Sequence, residues 1–262
     1  MRGITRDTVV ELVDKKFLWL YGIVTGLACL LVFFVGQADA RIQIETGNED
    51  QMAAMMAPLV VRAVSALAGF LVFITVMMTA GLLPRMLEKG RVDFYLSKPV
   101  SRAGFLANKL FAVWIVYGAI ITVCLGIMTA VSSAVFGGID GTVLYVFGIV
   151  WVLLAIWFSV TSFIGVWTTS TVLAIVATFV VYVLHLLLRG RDVLFELFEA
   201  RWLQVILDGL YYALPKPIDI STIVDRLIAD MPVESWMPLW SSLVFAVVLY
   251  VSAALVFKSK DY

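Results

Sequence analysis

Charge is scarce in this chain. Of its 262 residues only 15% are Asp, Glu, Lys or Arg, and it holds one histidine, His185, and two cysteines, Cys29 and Cys124. A soluble domain keeps roughly half of its residues apolar and coats the rest of itself in charge. Here 62% of residues are hydrophobic, which leaves too little polar surface to face water and points to a bilayer. One histidine without neighbouring acids excludes an H-E-x-x-H zinc site and a Ser-His-Asp set, and no acid–base pair sits deep in an apolar run, so no enzyme activity is expected. No G-x-x-x-x-G-K-[ST] loop occurs; the one Lys-Ser pair, Lys258-Ser259, lacks the glycines, so the chain has no such cradle for ATP phosphates. Both cysteines fall within apolar runs and read as packing residues. Basic and acidic residues balance at 19 each, so net charge says nothing about nucleic acid, and none is expected as a partner.

What is present is apolar length. At about 20 residues per crossing, spans are predicted at 17–36, 58–83, 109–136, 142–163, 166–188 and 239–257, in a single transmembrane domain covering 1–262. The apolar run before Ala38-Asp39-Ala40 is longer than a leader's core and follows acidic residues, so it reads as a span rather than a cleaved leader. Pro58 suits the first turn of the second helix, and Leu83-Pro84 suits its end. Residues 142–188 contain no acid, Lys or Arg, too long a stretch for one crossing, and the turn is placed within Ser162 to Thr171. Residues 1–16 put Val9, Leu12 and Val13 on one face with Phe17, which predicts a helix lying along the membrane surface, with Thr8 and Glu11 as a capping box. Between the last two spans, 189–238 reads as amphipathic helix that does not cross, followed by a second short helix with Ser221 as its N-cap.

Orientation follows from basic residues in short loops. The N-terminus carries Arg2, Arg6, Lys15 and Lys16; the segment 84–108 and its junction carry Arg85, Lys89, Arg91, Lys98, Arg102 and Lys109; the tail carries Lys258 and Lys260. Six spans place all of these on one side, so both termini are expected in the cytoplasm and 189–238 outside.

The segment from Glu88 to Lys109, "EKGRVDFYLSKPVSRAGFLANK", is the most distinctive polar stretch. Gly90 permits a change of direction, and Lys98-Pro99 forces extended or turn geometry. Between them Phe94, Tyr95 and Leu96 stand among charges, as a docking element or as a basic loop that sets topology against lipid headgroups. Glu88, Gly90, Asp93, Leu96, Ser97, Pro99, Val100, Ser101, Arg102 and Lys109 resemble the segment after the second span of ABC-2 type transporter permeases. The opening "ITRDTVVELVDKKFLW" and the closing "LVFKSKDY" resemble the ends of that family. Tyr95 replaces a common leucine, and Lys258-Ser259-Lys260 replaces consecutive arginines.

The resemblance implies an all-α integral membrane protein: an interfacial N-terminal helix, six spans, a cytoplasmic coupling helix between spans 2 and 3, and an extracytoplasmic helical region between spans 5 and 6. It implies a permease subunit in a bacterial or archaeal cytoplasmic membrane, paired with a second copy and with two cytosolic ATPases that bind ATP and Mg, while the chain itself binds no cofactor. Glu88, Gly90, Asp93, Phe94, Tyr95, Leu96, Lys98, Pro99 and Arg102 would seat in the ATPase, which drives export of a substrate. In a different class, some relatives resemble mechanical transmitters that pass ATPase motion to an extracytoplasmic partner protein.

Other residues carry plainer expectations. His185 lies among leucines with no acid in its span and is read as a satisfied or snorkelling histidine; Arg62 is read as snorkelling. Gly22-x-x-x-Gly26 and Ser65-x-x-x-Gly69 permit close helix approach within the chain or at a dimer seam. Thr168, Thr169, Ser170 and Thr171 suit either a polar path or a tight turn. The eight tryptophans mostly fall toward predicted span ends. Met52, Met55 and Met56, with Asp39 and Glu45 nearby, lack the spaced histidines of a copper site, and no metal is expected.

Overall fold

The computed structural model describes residues 15–46, 49–87, 101–136, 141–191, 201–228 and 231–260, and every regular element among them is a helix. In chain order these are α1 (Lys15–Thr46), α2 (Glu49–Thr79), α3 (Leu82–Met86), α4 (Arg102–Phe136), α5 (Val143–Thr168), α6 (Thr171–Arg189), α7 (Arg201–Ala213), α8 (Pro217–Ile228) and α9 (Met237–Ser259). Six stretches are long and apolar enough to cross a bilayer: Leu18–Gln37, Val61–Met86, Arg102–Phe136, Val143–Thr168, Thr171–Arg189 and Met237–Ser259. The chain is an all-helical membrane protein with six candidate spans. The surface helix expected at 1–16 falls almost wholly outside the described residues.

The helices run past the apolar windows. α1 continues to Thr46 and α2 begins at Glu49, so most of the polar stretch expected after Gly36 is helical. Hydropathy marks where lipid contact stops, whereas the backbone follows propensity, and Ala53, Ala54, Met55, Met56 and Ala57 are strong helix formers. Pro58 consequently lies inside α2 rather than at its start. α2 ends at Thr79, before Leu83-Pro84, and Pro84 sits in the first turn of the short α3. The break at residues 80–81 follows from proline chemistry: Pro84 has no N–H for the Ala80 carbonyl, and its ring would collide with that carbonyl in a continuous helix. The third spanning helix starts at Arg102 rather than Lys109. Ser101 caps it, its Oγ accepting the Gly104 N–H at 3.2 Å. α8 starts at Pro217, not after Ser221; proline suits a first helical position, where the N–H has no partner.

The α5–α6 turn falls at residues 169–170. Thr169 has φ 53°, and Ser170 Oγ accepts the Leu173 N–H as N-cap of α6. Thr168 Oγ1 donates to the Ile164 carbonyl and accepts the Ser170 N–H. These hydroxyls of the threonine cluster satisfy the turn.

Two compact units divide the chain, with boundaries that fall within α2, α4, α5 and α8. The first comprises Met1–Ile74, Ala112–Trp151 and Ser221–Val233. Its core holds Val64, Leu71, Ile121 and Leu125, with the Tyr21 and Tyr117 rings 6.4 Å apart. Trp151 lies over Gly118, where any Cβ would meet its ring at 2.6 Å. The Trp114 indole donates to the Trp151 carbonyl at 2.9 Å, and the Trp151 indole donates to Thr122 Oγ1 at 3.1 Å. These two tryptophans are therefore packing residues, not interfacial anchors. By contrast, no other described part of the chain comes within 4 Å of a Cβ built on Gly22, Gly26 or Gly69, so among the described residues none of the three serves close helix packing. Arg62 is exposed.

The second unit comprises Thr75–Phe111, Val152–Ile220 and Glu234–Tyr262. Leu154, Ile156, Ala174, Ile220 and Phe257 are buried, and the Tyr250 hydroxyl donates to the Ala155 carbonyl at 2.7 Å, tying α9 to α5. Burial of that hydroxyl is tolerable because its proton has an acceptor.

Candidate functional site

Two polar assemblies stand out in the second unit, at opposite ends of α6. The 19 residues of that helix place them about 28 Å apart along its axis, close to the thickness of a bilayer's hydrocarbon core.

The first assembly surrounds the roots of residues 88–100. Of the residues expected to couple to a partner, Glu88, Gly90, Asp93, Phe94, Tyr95, Leu96, Lys98 and Pro99 lie outside the described residues, while Arg102 lies within them. Leu87 and Ser101 flank the segment, and the structure around them is tied together closely. Arg102, at the start of α4, donates from Nη1 to the Lys260 carbonyl at 2.7 Å. Lys260 in turn donates from Nζ to the carbonyls of Val166 (2.9 Å) and Trp167 (2.6 Å) in the last turn of α5. Those carbonyls have no partner within the helix, and a cation there also meets the negative end of the helix dipole. Phe105 and Phe257 pack with ring centroids 6.5 Å apart. Gly165 lets α5 approach α3, because a Cβ there would lie 3.2 Å from Pro84 Cδ; Gly81 similarly faces Thr171 Cγ2 at 3.1 Å. The ends of α3, α4, α5, α6 and α9 thus meet in one joint. Lys109, about two turns further along α4, is buried.

The second assembly joins the end of α6 to α7, α8 and the start of α9. Asp219, in the first turn of α8 where a carboxylate suits the helix dipole, is its centre. Its Oδ2 accepts the Tyr211 hydroxyl at 2.8 Å, and its Oδ1 lies 3.4 Å from Arg189 Nε. His185 is 1% exposed; its Nε2 has no hydrogen-bond partner among the described residues and stands 4.0 Å from Asp219 Oδ2. The ring stacks on Tyr211, which also meets the Tyr212 ring, the Arg191 guanidinium 3.8 Å from its centroid and Lys216 Nζ at 4.8 Å. Arg191 Nε also pairs with Asp208 Oδ1 at 3.0 Å. Cations over an aromatic face gain from its quadrupole, more so away from water.

Lys216 is fully buried. Pro215 and Pro217 flank it, which forces an extended turn between α7 and α8 and folds its side chain back. Nζ reaches the carbonyls of Tyr212 (3.4 Å) and Leu214 (3.2 Å) at the end of α7, and Ser241 Oγ at 2.9 Å. Its backbone N–H donates to Ser242 Oγ at 2.9 Å. Burial draws its ammonium down to about 8, opposed by the Asp219 charge and assisted by Arg191. Burial, followed by the hydrogen bond to Asp219, pushes the Tyr211 phenol up to about 12.

His185, expected as a satisfied or snorkelling histidine, is instead enclosed, with Nε2 unpaired among the described residues and its acidic neighbour Asp219 coming from outside its own span. Sequence reading also missed Lys216 and Asp219; the Pro-Lys-Pro triplet was the available local signal. On α7, Trp202, Val205, Ile206 and Leu210 recur at helical spacing and are exposed, while Asp208 and Tyr211 supply the ionic contacts. Among the described residues no group of His, Cys, Asp and Glu is arranged to hold a metal ion.

The sequence matches no family model, and comparison with curated proteins gives no match.

Proposed function

We propose that this chain is the membrane-spanning permease subunit of an ABC transporter of the ABC-2 type. It lies in a bacterial or archaeal cytoplasmic membrane with both termini inside, works as a pair of copies with two cytosolic ATPases, and exports a substrate at the expense of their ATP. The observation that carries this reading is the joint formed by Arg102, Lys260 and the last turn of α5. Two stretches 158 residues apart that each resemble the family, the coupling segment and the closing tail, meet there through a hydrogen bond. A lever needs a stiff root. Motion imposed on residues 88–100 would enter α4 at Arg102 and pass through Lys260 to α5 and α9, as rigid-body displacement rather than local bending. In this reading Phe94, Tyr95 and Leu96 anchor in the ATPase and the basic residues, Lys98 and Arg102 among them, orient the contact, with Gly90 and Pro99 setting its shape.

The test is isolation of the chain from its native membrane with a photocrosslinker at Tyr95. A nucleotide-hydrolysing subunit should be captured, and the double variant Lys98→Glu, Arg102→Glu should lose both the crosslink and any stimulation of hydrolysis. Capture of no ATPase, or unchanged stimulation in the variant, rejects the reading.

A second reading, a mechanical transmitter that relays ATPase motion to an extracytoplasmic protein, is favoured by α7, on which no residue is buried and Trp202, Val205, Ile206 and Leu210 are exposed. Crosslinking from Trp202 separates the two readings: a specific extracytoplasmic protein supports transmission, and lipid alone supports export.

A further inference from the structure

α7 presents its residues to its surroundings in the reverse of the usual order. Trp202, Val205, Ile206, Gly209 and Leu210 recur at the spacing of one helical face, and all of them are exposed. In a helix on the surface of a soluble protein that spacing marks the stripe turned to the core, with polar residues facing water. Here the polar groups are turned inward instead. Tyr211 donates to Asp219 and stacks on His185, Asp208 at the edge of the stripe pairs with Arg191, and Gln204 is half-buried. A contiguous apolar face of this kind calls for an apolar partner.

Two contacts fix the level at which the helix lies. The Tyr211 ring stacks on His185, four residues before the end of α6, and the Lys216 N–H bonds to Ser242, five residues past the start of α9. At about 1.5 Å per residue these points are about 6 Å and about 7 Å inside the ends of two candidate spans. The C-terminal half of α7 is therefore level with the terminal turns of both helices, not above them. That depth is the one at which an interfacial helix rests, with its apolar face roughly 5–10 Å into the boundary between headgroups and acyl chains. The flanking surface is apolar as well: Leu186 and Leu187 of α6 and Val244 of α9 are exposed. Trp202 and Tyr212 of α7 and Trp236 and Trp240 at the start of α9 are exposed too, and these are the residue types that settle at headgroup level. A docking face for a soluble protein would have to stand clear of that level.

We propose that α7 is seated in the bilayer, with the stripe from Trp202 to Leu210 against the lipid of one leaflet and its opposite face closed over the polar assembly at the end of α6. The partner is lipid, because the stripe continues the lipid-facing sides of α6 and α9 at their own depth. The seat follows from the membrane character of the chain and needs neither an ATPase nor a substrate. It gives to lipid the surface on which a mechanical transmitter would hold a protein.

The wild-type protein would be placed in phosphatidylcholine nanodiscs that include a lipid with a diazirine in its acyl chain, then irradiated, and the adducts mapped by mass spectrometry. Adducts on Val244 and Val247 of α9, both exposed, report ordinary lipid contact. Trp202, Val205, Ile206 and Leu210 should be labelled comparably to these, and severalfold more than Leu203, Gln204 and Leu207, so that labelling follows the helical period. Labelling of α9 with none on α7 would overturn the seat, since protein would then cover the stripe or water would bathe it. Equal labelling of both faces of α7 would overturn it as well. In the native membrane, a photocrosslinker in place of Ile206 should yield lipid adducts; capture of a second copy or of another protein there would give the stripe to that partner and end the proposal.

Discussion

Lys216 makes a prediction whose sign is unusual and whose size follows from its surroundings. Its ammonium is fully buried among two carbonyls and a serine hydroxyl, and burial draws it from 10.5 to about 8 in the folded protein. Between those two values an unfolded chain holds the proton and the folded chain has released it, so stability rises with pH across this window; below about 8 both states hold the proton and the contribution is flat. The gap corresponds to about 3 kcal/mol. Water that reaches the cluster at Arg189, 46% exposed, screens part of this, leaving an expected gain of about 1–3 kcal/mol. The perturbation is Lys216→Met, which keeps most of the stem and removes the titrating group. Thermal unfolding in detergent would be recorded from pH 7 to 10 for both proteins and the curves subtracted, which cancels the other lysines. The wild type minus variant difference should climb by several degrees between pH 8 and 10. Above pH 10 Tyr211 acts in the opposite sense: its phenol, raised to about 12 from 10.0, keeps its proton in the folded protein while the unfolded chain loses it, so stability falls. A difference curve that is flat or descends from pH 8 to 10 would refute the placement of Lys216 as a buried, fully engaged amine.

Three further substitutions probe separate parts of the fold. Gly118→Ala should cost about 1–3 kcal/mol, read as a lower melting temperature, because its Cβ would force aside the Trp151 ring at 2.6 Å and with it the bonds to Trp114 and Thr122. Lys260→Met should weaken the joint by about 1–3 kcal/mol by removing the charged donor from the Val166 and Trp167 carbonyls, seen as faster hydrogen exchange in the last turn of α5. Ser170→Ala should cost about 1 kcal/mol through loss of the α6 N-cap, measured by thermal unfolding, with Ser170→Asp restoring most of it.

The membrane-crossing part of this fold is legible because lipid imposes a simple rule: about 20 apolar residues for each crossing, whatever the side chains do next. All six predicted spans correspond to helices, and even the chargeless stretch 142–188 divides as its length requires. Helix ends are less legible because they are decided by backbone chemistry that hydropathy does not weigh. Pro58 reads as a start yet sits within α2, since the alanines and methionines before it are good helix formers. Pro84 reads as a stop yet opens α3, since its ring excludes a continuous helix four residues earlier.

The ionic assembly shows the harder limit. His185, Tyr211, Lys216, Asp219 and Ser241 are individually ordinary, and His185 reads as a satisfied or snorkelling histidine because its own span offers no acid. Its chemistry comes from residues that the turn at Pro215-Lys216-Pro217 folds back onto α6, and local periodicity does not register a contact made 34 positions away, between His185 and Asp219. The joint at the other end of α6 has the same character: Arg102 and Lys260 each fit a short pattern, but only their meeting makes either a structural element. The C-terminal end of α6 is thus fixed by long-range polar contacts to Asp219, and its N-terminal end follows a local turn out of α5, whose last carbonyls Lys260 holds. A displacement applied at one end will reach the other only if the helix moves as a rod, and α6 is suited to that: among its 19 residues it has no glycine or proline to absorb a bend.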